Sequence, residues 1–169
     1  MKRRFFLLAG GAVVLAAGWG VLAWGDPRNR EMRRVEKRLL ALAEAVSFSE
    51  KDSMFLRLGY PEKVRGFFGP TTELDITVGS REAHATLVNS ELKERVGLMR
   101  ATAKGLSVQF LDVAVTMNEA LNEATAHLTS KIYFTGEPDY LVQEFRVQLG
   151  KQAEQGWRVS RIGTVRTME

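Results

Sequence analysis

Apolar and polar residues repeat with two different periods along this chain, and the change of period divides it. Over residues 106–168 the period is two, the mark of extended strands whose successive side chains point to opposite faces. Four strands are predicted there, at 106–117, 121–135, 140–150 and 157–168, joined by Asn118-Glu119-Ala120, by Gly136-Glu137-Pro138-Asp139 and by residues 151–156. Connections this short predict an antiparallel meander. In the second strand Ala124, Ala126, Leu128, Ile132 and Phe134 share one face, while Glu123, Thr125, His127, Thr129, Lys131 and Tyr133 share the other. The third sets Leu141, Phe145, Val147 and Leu149 against Glu144, Arg146 and Gln148, so one sheet face is expected to be buried and the other wetter. The first strand changes phase, from Leu106, Val108 and Phe110 to Leu111, Val113, Val115 and Met117. Two arrangements would produce this, a bulge near residues 110–112 or a central strand apolar on both sides.

Ahead of the meander the period lengthens to that of a helix. Met32, Val35, Leu39, Leu42 and Val46 make one stripe of a predicted helix opened by Asp26-Pro27 and ending near Ser47, with Arg30, Arg33, Arg34, Lys37 and Arg38 on its other side. A second helical piece is expected from Ser49-Glu50-Lys51-Asp52 through Met54, Phe55 and Leu58 to Gly59. Pro61 would open a further short turn, and Gly69-Pro70 would close the helical opening. Tyr60, Val64, Phe67 and Phe68 are expected to plug one end of the core. A short strand at 72–78, with Leu74, Ile76 and Val78 alternating, then leads through Gly79-Ser80 into a long helix. Its stripe of Ala85, Val88, Leu92, Val96 and Met99 would lie across the sheet.

The first 25 residues have a different character. Lys2-Arg3-Arg4 precedes an uncharged run over residues 5–25 that is long enough to cross a bilayer as a helix, since about 20 residues suffice, with Trp24 placed for the far headgroup layer. Ala23-Trp24-Gly25 also offers the small residues of a signal-peptidase site just before Asp26. The reading is therefore a transmembrane anchor or signal peptide over residues 1–25, with retention favoured by the length of the run, and a single folded domain over 26–169. The basic residues after the run outnumber those before it, against the simple positive-inside expectation. The plan of a short basic start, an apolar run and a folded domain is nonetheless that of an exported protein. The expected location is the bacterial inner membrane, single-pass with the domain facing the periplasm, or the periplasm or medium after cleavage.

Composition narrows the chemistry. The net charge of +4 is modest, and the early arginines and lysines account for much of the basic balance, so no nucleic-acid partner is expected. The absence of cysteine removes disulfides and thiolate chemistry. With two histidines, His84 and His127, and no paired ligand spacing, neither a metal site nor a cofactor is expected. Neither a phosphate-binding glycine loop nor a GxSxG serine elbow occurs.

The order of opening helices, short strand, long helix and run of long antiparallel strands, closing on Gly156-Trp157-Arg158-Val159, resembles the nuclear transport factor 2-like, or SnoaL-like, superfamily. The resemblance spans roughly residues 32–168. It implies an α+β domain in which a curved antiparallel sheet wraps around a long helix as a cystatin-like cone, here preceded by one N-terminal transmembrane helix. It also implies a cavity between the sheet and the opening helices. The superfamily includes isomerases, dehydratases and epoxide hydrolases, and also non-catalytic transport factors and membrane-anchored assembly subunits, so fold leaves function open.

Residues expected to line the cone are Tyr60, Phe67, Phe110 and Asp112, together with Phe134, Phe145 and Trp157. No catalytic set is predicted. Asp112, with Tyr60 or Tyr133 as donors, is the nearest approach to the carboxylate base of an isomerase, but the phase change in its strand turns it outward. The wetter sheet face, with His127, Lys131, Arg146 and Arg158, is the expected interaction surface for a protein partner or a second copy. The leading expectation is a membrane-anchored, non-enzymatic interaction or ligand-binding domain that meets the lipid bilayer through residues 5–25. The alternative is an exported isomerase or lyase-type enzyme acting on an apolar ligand in the cone.

Overall fold

The computed structural model describes residues 26–78 and 81–165. The predicted anchor or signal segment lies outside these residues, and among them no helix is long and apolar enough to cross a membrane. Asp26 caps the first helix, its carboxylate accepting the Arg28 N–H at 2.9 Å, and Pro27 occupies the first turn of α1, Pro27–Val46. The stripe behaves as expected. Val35, Leu39 and Leu42 are buried, with Met32 and Val46 packed on the same core at either end.

The second helix corrects the sequence reading. α2 runs unbroken over Met54–Arg65 with Pro61 inside it, rather than stopping at Gly59. Proline costs a helix one hydrogen bond and some crowding. Here Tyr60 and Val64, four residues apart and both buried, hold the helix through that point. Its cap is Ser53, while Ser49 and Asp52 close a separate turn in which the Ser49 N–H donates to the Asp52 carboxylate at 2.9 Å. Arg100 clamps this turn by donating to Ser49 O at 2.9 Å, and its guanidinium lies 4.4 Å over the Phe48 ring.

Two strands follow, β1 at Phe68–Val78 and β2 at Arg81–Val88, and only then a helix, α3 at Asn89–Thr102. The predicted long helix was therefore half strand. Residues 83–87 satisfy both periods, since Ala83, Ala85 and Leu87 also alternate with Glu82, His84 and Thr86. Antiparallel pairing with β1, from Thr71↔Val88 to Thr77↔Glu82, decides in favour of the strand.

The meander forms as expected from β3 Leu106–Met117, β4 Glu123–Phe134, β5 Tyr140–Gln152 and β6 Gly156–Thr164. Gly156 has φ 70°, the left-handed conformation that lets a three-residue loop join β5 to β6. The sheet order is β2-β1-β6-β5-β4-β3. All neighbours are antiparallel except β1 and β6, which run parallel, so the sheet is mixed rather than wholly antiparallel. The 20-residue α1 packs chiefly on β3, and the 14-residue α3 chiefly on α2, so the helix that the sheet curls around is the first and not the later one.

Of the two arrangements open for the first meander strand, the bulge is present. The β3–β4 register shifts between Leu111 and Ala114, and Asp112 there has φ 52°. Beyond it Val113, Val115 and Met117 take over the inward face that Leu106, Val108 and Phe110 begin.

Candidate functional site

On the inner face of the sheet, polar atoms are few and committed. Tyr60 is buried and its hydroxyl donates to Val46 O at 2.6 Å; burial pushes the phenol up to about 12 against a smaller opposing effect of Arg100. Phe67 is buried beneath the Arg38 guanidinium, 4.0 Å from its ring centroid. Trp157 is buried and donates from Nε1 to the Glu31 carboxylate at 2.9 Å. Glu31, the buried carboxylate of α1, also accepts from Arg34 and lies 3.2 Å from Lys151 Nζ. Burial raises its pKa, but the hydrogen bonds from Trp157 and Lys151 and the charges of Lys151 and Arg34 outweigh this and hold it below the ordinary value. Glu31 is thus an ionised structural anchor.

Phe110 and Phe145 pack half-buried against the same core, whereas Phe134 is 41% exposed at the rim. Asp112 is exposed at the bulge, in contrast to the buried Tyr60, Phe67 and Trp157. Tyr133, the other donor considered, is on the exposed face as well. Among the described residues no group of three or more histidines, aspartates and glutamates could hold a metal.

The outer face carries the exposed chemistry. One cross-strand row runs through all six strands: Ala114 opposes His127, His127 opposes Arg146, Arg146 opposes Gly163, Gly163 neighbours Asp75, and Asp75 opposes His84. Both histidines of the chain therefore lie on one line. His84 is in β2 rather than at the start of a helix, with Nδ1 2.9 Å from Asp75. At the centre of the row Gly163 has no side chain, and a cleft of about 350 Å³ opens there between Arg146, Gln148, Arg161 and Asp75. Arg161 is drawn toward Glu73 and Asp75, at 3.5 and 3.7 Å. Arg146 is exposed and has no carboxylate partner among the described residues.

Toward the β4–β5 turn the same face becomes aromatic and apolar. Lys131 lies 4.1 Å over the Tyr140 ring in a second cleft with Ser107, Gln109 and Tyr133, and Tyr140 and Val142 are 58% and 52% exposed. Arg158 is not part of this area. It lines a separate cleft with Glu62, Arg65, Gly69 and Gln155, and its Nε is buried, with its charge acting on Arg38. Sequence reasoning missed Asp75, Arg161 and Gly163, because the parallel β1–β6 pairing that assembles them leaves no local pattern. Val142 was within reach, since it shares the parity of Glu144 and Arg146.

No protein-family model matches the chain, and no curated protein matches its sequence. Solved structures match in fold. A nuclear transport factor 2-like superfamily protein from Salmonella enterica serovar Typhimurium aligns with a TM-score of 0.61 at 11% identity, covering 83% of this chain and 93% of that one. An NTF2-like protein of unknown function from Pseudomonas putida gives 0.59 at 9% identity, covering 82% and 87%. A proposed scytalone dehydratase from Novosphingobium aromaticivorans gives 0.56 at 15% identity, covering 82% and 85%. At such identities the likeness establishes architecture alone: this chain has an α+β fold like that of these NTF2-like structures, with a curled mixed sheet of six strands.

Proposed function

We propose that this protein is a non-enzymatic interaction domain, tethered to a bacterial inner membrane through residues 5–25, that engages a protein partner or a second copy through the outer face of its sheet. The observation that carries this reading is Arg146, an exposed guanidinium with no carboxylate partner among the described residues, beside the side-chain gap at Gly163. Arginine, at Arg146 and Arg161 beside the gap, and tyrosine, at Tyr133 and Tyr140 in the second cleft of the same face, are residue types enriched where proteins meet. The inner face supports the same reading, since Tyr60 and Glu31 are held by structural hydrogen bonds and Asp112 is exposed at the bulge. The basic start, uncharged run and folded domain support placing the domain on the periplasmic side.

Sedimentation of the full chain in neutral detergent, and cross-linking in intact membranes, test the proposal. Arg146→Glu should abolish the association while leaving the circular dichroism spectrum unchanged. Association that survives this change puts the interface elsewhere. The anchor is tested separately by fractionation, where a soluble form beginning at Asp26 would replace it with a cleaved signal peptide.

The second reading, an isomerase or lyase acting on an apolar ligand, draws on the dehydratase name of one structural neighbour. It requires a base and an oxyanion donor converging inside the cone. Turnover of any substrate that is lost in Tyr60→Phe would favour it.

A further inference from the structure

At the start of α1 a cleft of about 500 Å³ is bordered by Pro27, Arg30, Arg34 and Lys151 and by the turn at residues 120–122. It is preformed. Arg28 donates to Met117 O at 2.6 Å, tying the first turn of α1 to the end of β3, and the Lys151 N–H donates to Asn122 O at 2.8 Å, tying the turn to β5. Glu31 orients the two cations at its edge, because Arg34 and Lys151 each contact its Oε1. Each keeps further N–H donors for another anion, since a guanidinium has five and an ammonium three. Their side chains remain 66% and 39% exposed. Arg34 and Lys151 thus share the single carboxylate of Glu31, which leaves this edge of the cleft with an excess of positive charge.

Connectivity says where this cleft stands. Pro27 borders it, and the last residue of the uncharged run, Gly25, is two positions away. Two chain steps span at most about 7–8 Å. α1, at 20 residues, carries the loop at Phe48 and α2 about 30 Å to its other end. If residues 5–25 occupy the bilayer, the basic cleft is held at the headgroup layer and the rest of the domain extends from it.

We infer that this cleft binds the phosphate of an anionic phospholipid headgroup, through Arg34 and Lys151 with Arg30 beside them. The inference rests on the membrane-tethered reading of residues 5–25. Its chemistry is that of paired cations on a phosphate diester, with Arg34 able to bind bidentately and Lys151 as a point charge. The ligand would fix the rotation of α1 relative to the membrane and so the direction in which the outer sheet face is presented.

The test uses the full chain in neutral detergent, titrated with short-chain phosphatidylglycerol, short-chain phosphatidylcholine or inorganic phosphate, and read by amide NMR shifts. Phosphatidylglycerol should bind at least about tenfold more tightly than phosphatidylcholine, with shifts at residues 27–34, 120–122 and 151. At about fivefold per surface cation, Arg34→Gln with Lys151→Gln should weaken that binding by about 25-fold. Arg34→Lys with Lys151→Arg, which keeps both charges, should recover most of it and controls for folding. Equal affinity for the two lipids, shifts confined to other segments, or an unchanged affinity in the doubly neutralised chain would overturn the inference. Inorganic phosphate binding as tightly as phosphatidylglycerol would also overturn it, making free phosphate the ligand. Failure of the anchor would show in fractionation as a soluble form, whereas failure of the cleft would show only in the titration.

Discussion

The inner and outer faces of β4, β5 and β6 are built from the same residues in alternation, yet they do opposite things with polar groups. Inside, Ala126, Leu128, Ser130, Val147, Leu149 and Val159 are buried, and Trp157 Nε1 and the Tyr60 hydroxyl, packed in the same core, have fixed acceptors. Outside, His127 and Arg146 stand in solvent beside the gap at Gly163. A buried polar atom must be satisfied for the fold to persist, whereas an exposed one can wait for a partner. Under the proposed function, recognition falls to the outer face.

The sharpest way to break the contrast is a core deletion. Leu149→Ala, at a side chain 2% exposed, should destabilise the domain by about 2–5 kcal/mol in urea unfolding. Trp157→Phe should follow at about 1–3 kcal/mol, because it removes a donor from a buried carboxylate. Glu31 has a depressed folded-state pKa. Its contribution is therefore complete above the unfolded carboxyl value of about 4.3 and is lost as pH falls through the lower folded value, an acid dependence that Glu31→Gln should remove.

At the bulge Asp112→Val should cost about 1–2 kcal/mol through its positive φ, and Asp112→Gly should be neutral or stabilising. A loss of any activity in Asp112→Gly without a change in stability would instead mark this carboxylate as functional. Tyr60→Phe should cost about 0.5–1.5 kcal/mol. The stabilisation from its neutral phenol is complete below about 10 and is lost as pH rises toward the folded value of about 12, so the variant should also flatten the alkaline limb of the stability profile. Smallest in stability is Arg146→Glu, within about 0.5 kcal/mol by thermal melting, although it should abolish association. A large drop in melting temperature there would place Arg146 among the structural residues and dissolve the contrast between the faces.

Much of the outline was legible before any coordinates. The α1 stripe, its Asp26 cap, the four meander strands and the phase change at Asp112 all rest on residues whose neighbours in space are neighbours in sequence or lie across a short turn. Residues 81–88 were misread because alanine contributes little to either period, and the choice between helix and strand then passed to β1. The Pro61 helix was misread because a local rule, proline as a breaker, was outweighed by burial of Tyr60 and Val64.

The sequence by itself determined which sides of β4 and β5 face the core, because a period of two leaves no freedom once one face is apolar. It determined equally that the first helix begins at Asp26-Pro27. Only the tertiary structure decided that β1 lies parallel to β6, and with it that Asp75, Gly163 and Arg146 stand in one row with both histidines. It also decided that Glu31, an ordinary position on a basic helix, meets Trp157 across 126 residues of chain and becomes a buried anion. These contacts join segments distant in sequence, and their energy depends on which elements come to lie side by side, which no local periodicity encodes.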